Sequence, residues 1–124
     1  MKTLTKLVIT AALMVPFTAQ AKHMDVIEME FVNGCTLSKL MPIVADFNEW
    51  GKAYGYSAEI AAPLQSNSLT SYYWLGTSAD AASFGAAWDA WRDAQSDSKS
   101  VPAKLQARFE DCTINKARRS YDVF

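Results

Sequence analysis

The groups able to do chemistry in this chain are few: one histidine, two cysteines, two glutamates on one predicted strand, and a concentration of tryptophan and tyrosine. Cys35 and Cys112 lack the Cys-x-x-Cys spacing of a redox or zinc pair. As an even count with one possible pairing they predict a structural disulfide. Glu28 and Glu30 share a strand face, roughly 7 Å apart. Paired carboxylates can exchange protons or hold a cation, but Lys116 and Arg118 alternate in the same way on the last predicted strand and would neutralise them. His23 stands beside Met24, second in the expected mature chain. A free amine, an imidazole and a thioether together suit copper; the histidine is one place off the usual amino-terminal site, and a solvated, frayed terminus is the competing reading. Catalysis by a serine or cysteine nucleophile would have to take His23 as its base. The sequence has no glycine-rich phosphate loop, zinc-ligand spacing or Walker motif. No catalytic group is assigned.

The aromatic residues divide between two expected surfaces. Phe47, Trp50, Tyr54, Tyr73, Trp88 and Trp91 fall on the inner side, as ordinary core or as the lining of a pocket for a small apolar or aromatic ligand. Arg92 would stand at the pocket rim, or pair with Asp89. Tyr72 and Trp74 are expected on the opposite sheet face with Glu28, Glu30, Lys116 and Arg118. Aromatics among charges there predict a partly polar homodimer interface.

The elements that position these residues centre on residues 69–91. A strand is predicted over 69–75, broken at Gly76, with Thr77 or Ser78 capping a helix in which Ala81, Phe84, Trp88 and Trp91 recur at helical spacing. Upstream, Ile27, Met29 and Phe31 alternate with Glu28 and Glu30 in a half-buried strand over 25–32. Leu40, Val44, Phe47 and Tyr54 mark a helix that starts between Ser38 and Met41, so that Pro42 lies near its first turn, and ends at Gly55. Residues 56–62 form a second strand in hairpin with 69–75. A short helix follows over 100–110, with Pro102 in its first turn, and a last strand from Cys112 towards Phe124. The order strand, helix, strand, strand, helix, short helix, strand predicts a ferredoxin-like βαββαβ plait, an α+β fold with a four-stranded antiparallel sheet and its helices on one face. In that plait the first and last strands are antiparallel neighbours, which brings Cys35 beside Cys112.

Residues 1–21 read as a signal peptide. Lys2 and Lys6 precede the apolar run 7–15, too short to span a bilayer, and Ala19-Gln20-Ala21 is a cleavage site. The product is expected to be exported, periplasmic or secreted, with residues 22–124 forming one domain. The leader carries basic residues and no acid, so the remainder is more acidic than the formal net charge of −1. This argues against nucleic acid or an anionic membrane as partner.

In element order and size the chain resembles the dimeric α+β barrel group of ferredoxin-like proteins, which includes the antibiotic-biosynthesis monooxygenase-like members. Asp46-Phe47-Asn48-Glu49-Trp50 and Trp74-Leu75-Gly76, with Trp88, are also similar to small exported bacterial proteins without assigned activity. The resemblance implies a homodimer packed sheet on sheet and a pocket between sheet and helices. Members use such pockets for haem, quinol or polyketide oxidation. Haem-degrading members ligate iron through a helix histidine. This chain has none after His23, so the roles of a pocket asparagine and tryptophan are not carried onto Asn48 and Trp50, and no cofactor is expected. The expected function is a homodimeric small-molecule-binding or accessory protein. The alternatives are a monooxygenase-like enzyme acting on a flat aromatic substrate, and an interaction module using the Tyr72/Trp74 face.

Overall fold

A computed structural model describes residues 20–124; the expected leader falls almost wholly outside them. Strand β1 (Lys22–Phe31) begins immediately after Ala21. Its odd-numbered residues, Asp25, Ile27 and Met29 among them, face the helices, and its even-numbered residues face away. Helix α1 (Leu37–Gly51) follows, burying Leu40, Ile43, Val44 and Phe47. Pro42 lies in the second turn of the helix, not near its first, because the helix already begins at Leu37. A single 3-10 turn (Lys52–Tyr54) then closes at Gly55, whose φ of 62° lies in the left-handed region that favours glycine.

Strands β2 (Ser57–Ala61) and β3 (Tyr72–Ser78) pair as the expected antiparallel hairpin. Gly76, read as the strand's end, lies inside β3 and pairs with Asp25. The cap of α2 (Ala81–Ala94) therefore moves downstream to Asp80, whose carboxylate accepts the Ser83 backbone N–H at 2.7 Å. Helix α3 (Val101–Cys112) is capped by Ser100 with Pro102 in its first turn, and β4 (Thr113–Val123) completes the chain.

The strand order β2-β3-β1-β4, antiparallel throughout, is that of a ferredoxin-like α+β plait. Phe31 pairs with Thr113 at one end of the β1/β4 ladder. Cys35 and Cys112 lie just beyond that pair and form the expected disulfide, with Cα atoms 5.0 Å apart. The core lies between the sheet's inner face and the helices. Phe47 is its hub, with ring centroids of Trp74 at 4.7 Å, Tyr56 and Trp91 at 5.4 Å and Trp50 at 5.7 Å. Asn48 clamps α1 to β2, accepting the Ala58 N–H at 2.8 Å and donating to its carbonyl at 3.0 Å.

Candidate functional site: an aromatic cavity with an arginine on a buried aspartate

Where the three helices meet the sheet they leave a cavity of about 190 Å³. All four tryptophans of the chain line it (Trp50 from α1, Trp74 from β3, Trp88 and Trp91 from α2), together with Phe47, Tyr56, Phe84 and Phe109. Its polar members are Arg118, Asn115, Gln106 and Thr113. Two of these are engaged elsewhere: Gln106 accepts the Trp91 indole N–H at 3.2 Å and donates to Glu110, and the Thr113 hydroxyl donates to the Phe109 carbonyl. The Asn115 amide makes no side-chain hydrogen bond among the described residues.

Arg118 rests its guanidinium 4.2 Å from the Trp88 ring centroid, a cation–π contact. Behind it Asp25 is completely buried. Arg118 donates from Nε to Asp25 Oδ1 at 2.9 Å and from Nη2 to Oδ2 at 2.5 Å, a bidentate charge-assisted pair. The Tyr56 hydroxyl donates to Asp25 Oδ2 at 3.4 Å and accepts the Trp74 indole N–H at 2.9 Å. Burial pushes the Tyr56 phenol well above its ordinary value; the Trp74 hydrogen bond opposes this and the Asp25 charge adds to it. Tyr56 is thus a proton holder, unsuited to act as a base. Gly76 makes the arrangement possible, since a Cβ there would lie 1.8 Å from the Tyr56 hydroxyl oxygen.

A bulge in β4 gives the site its polar side. Glu28 pairs with Ala117 and Met29 with Asn115, so Lys116 is passed over in the ladder. Asn115 and Arg118, three residues apart, thereby reach the same inner face, as bulges commonly re-aim side chains.

The expected pocket residues Phe47, Trp50, Trp88 and Trp91 do meet at the cavity. Tyr54 packs at a tilt against Trp50 outside it, with centroids 4.7 Å apart. Tyr73 pairs with Glu28 on the face away from the helices, and Arg92 is exposed and bound to Asp89 at 2.6 Å. The expected dimer face needs a larger correction. Trp74 and Arg118 both line the cavity, and Tyr72 also turns inward, against Phe31 at 4.5 Å. Glu28 and Glu30 do face away, but Glu28 pairs with Arg119 at 3.7 Å, and Glu30 with Lys116 at 4.0 Å. His23 is not frayed. It is buried in β1, stacked on Phe84 at 4.4 Å, with Nε2 lacking a partner, as does the buried Ser78 hydroxyl across the ladder. Among the described residues no cluster of three potential metal ligands occurs. Sequence reasoning does not single out Asp25, Tyr56 or Asn115, and it puts Arg118 on the opposite sheet face, although Asp25 shares the parity of Ile27 and Met29 and is readable as an acid on an apolar face.

No protein-family model and no curated protein sequence matches the chain. Solved structures resemble it. Hydroxynitrile lyase from Passiflora edulis aligns with a TM-score of 0.53 at 13% identity, covering 85% of this chain and 95% of its own. A protein of unknown function from Bacteroides thetaiotaomicron, described as a possible oxidoreductase, aligns at 0.45 and 9%, covering 84% and 99%. A dimeric protein of unknown function and ferredoxin-like fold from Bacteroides fragilis aligns at 0.41 and 6%, covering 82% and 93%. At 13% identity the likeness to the lyase is one of fold alone. The chain is a ferredoxin-like α+β protein with an aromatic cavity beneath its sheet.

Proposed function

We propose that the protein is an exported small-molecule-binding domain whose cavity takes a flat aromatic or apolar ligand, and that it acts as a homodimer. The observation carrying the reading is the convergence of all four tryptophans on one cavity that retains uncommitted polar atoms on Arg118 and Asn115. The space opens to solvent beside Trp88, Asn115 and Arg118, which leaves a ligand a way in to the tryptophans. An engineered apolar cavity of about 150 Å³ already binds benzene. Binding is favoured over the monooxygenase-like alternative because Tyr56 is held protonated and Gln106 and Thr113 are engaged with the protein. The interaction module built on Tyr72 and Trp74 loses its support, since both residues face the helices.

Export is supported by the leader-like residues 1–21 and by the disulfide. No helix among the described residues is long and apolar enough to cross a membrane. Homodimerisation is supported by the sheet's outer face, where Met24, Val26, Tyr73 and Leu75 are only half-buried. Titrating the protein with 2-acetylnaphthalene while following tryptophan emission tests the binding reading. Saturable quenching with one ligand per chain is expected; emission that changes only in proportion to added compound would overturn it.

A further inference from the structure

We propose that Asp25 sets the charge selectivity of the cavity: by neutralising Arg118 from behind, it makes the site accept an uncharged aromatic molecule bearing a hydrogen-bond acceptor and disfavour the corresponding carboxylate. This deepens the ligand-binding reading and rests on it. Arg118 is the one charged residue lining the cavity, and a lone arginine there would ordinarily invite an anion. Its charge is already matched. Asp25 has no exposed surface, takes Nε and Nη2 of the guanidinium, and is not itself part of the lining. The pair contributes no net charge to an otherwise neutral aromatic site. A carboxylate seated against Arg118, whose side chain is 38% exposed, would set two anions against one cation and be repelled by the unscreened charge of the buried Asp25.

Hydrogen-bonding capacity nevertheless remains. Arg118 Nη1 and the Asn115 amide make no hydrogen bonds among the described residues, and the β4 bulge directs both residues to the cavity. A ring carbonyl can accept from these groups without bringing charge. Asp25 is therefore a positioning and specificity residue, acting on the ligand through Arg118 without touching it.

Three probes of matched shape test this by equilibrium dialysis at neutral pH: 2-acetylnaphthalene (neutral, acceptor), 2-naphthoate (anionic) and 2-isopropylnaphthalene (neutral, no acceptor). Wild-type protein should bind the ketone at least about tenfold more tightly than the naphthoate. Asp25→Asn, which keeps the shape and removes the charge, should tighten naphthoate binding by about tenfold while moving the ketone by less than about threefold, a change that a merely structural role would not produce. Asn115→Leu should weaken the ketone and leave 2-isopropylnaphthalene unchanged. Equal or tighter wild-type binding of the naphthoate, or an Asp25→Asn protein with unaltered preference, would overturn the proposal. Should Asp25→Asn fail to fold, the wild-type ratio and the Asn115→Leu comparison decide it. If none of the three probes binds, the cavity is no ligand site and both readings fall; if all bind with the naphthoate preferred, only the charge selectivity falls.

Discussion

The polar heart of the site depends on one absent side chain. At position 76 any Cβ would collide with the Tyr56 ring, 1.8 Å from its oxygen and 2.4 Å from Cζ. Glycine is what lets the hydroxyl lie between Asp25 and the Trp74 indole. Replacing Tyr56 by Phe leaves the indole N–H without its acceptor and should cost about 1–2 kcal/mol. It should also change how stability responds to alkali. The folded protein holds the Tyr56 proton more tightly than the unfolded chain does, so this contribution is complete below the ordinary tyrosine value and declines as pH rises beyond it, by at most about 1.4 kcal/mol per pH unit. Urea-unfolding midpoints measured from neutral to alkaline pH should fall more steeply for wild type than for Tyr56→Phe. Parallel declines would place the source of the slope in other groups.

Elements show why part of the site was readable and part was not. β1 announces its inner face through Asp25, Ile27, Met29 and Phe31 against Glu28 and Glu30, and α1 announces its own through Leu40, Val44 and Phe47; both were legible. β3 was not, because Tyr72, Tyr73 and Trp74 offer no polar contrast from which to choose a face. Reading Gly76 as a terminator also hid the residue that makes room for Tyr56. β4 was misread for a different reason: Lys116 and Arg118 have the spacing of a regular strand face, and a bulge leaves no mark in such alternation. The bulge itself is testable. Because Asn115 faces inward, Ala117 outward and Arg118 inward, deleting Lys116 should restore an unbroken ladder without turning either polar residue out of the cavity. The deletion variant should retain the wild-type far-UV circular dichroism and tryptophan emission maximum, with a stability loss of no more than about 1–2 kcal/mol. A red-shifted emission would show that the inner face had slipped.

At the scale of the molecule, the disulfide and the bare sheet face answer two problems of a small α+β plait. The first is marginal stability. The bridge spans 77 positions and joins the loop after β1 to the last residue of α3, next to the start of β4, where Val32 N–H also donates to the Cys112 carbonyl at 3.0 Å; closing so long a loop contributes about 4 kcal/mol in the chain-entropy picture. Its position was inferable because strand order and cysteine spacing gave the same answer. The second problem is that helices cover only one side of the sheet. On the other side Leu75 pairs with Val26 on one flank and Glu59 on the other, Met24 lies between Thr77 and Tyr121, and Tyr73 lies between Ala61 and Glu28. This is an apolar strip bordered by the Glu28–Arg119 and Glu30–Lys116 pairs, the composition of a core with a charged rim expected at a protein interface. A second copy applied sheet to sheet would cover Leu75 near the strip's centre. Leu75→Glu should then give a folded monomer, with light scattering reporting half the wild-type mass and an unchanged melting profile for the disulfide-linked domain at high dilution. Trp74→Glu, by contrast, places its charge among the cavity aromatics and should unfold the subunit rather than merely separate it. A Leu75→Glu protein with wild-type mass would remove the sheet face from the interface.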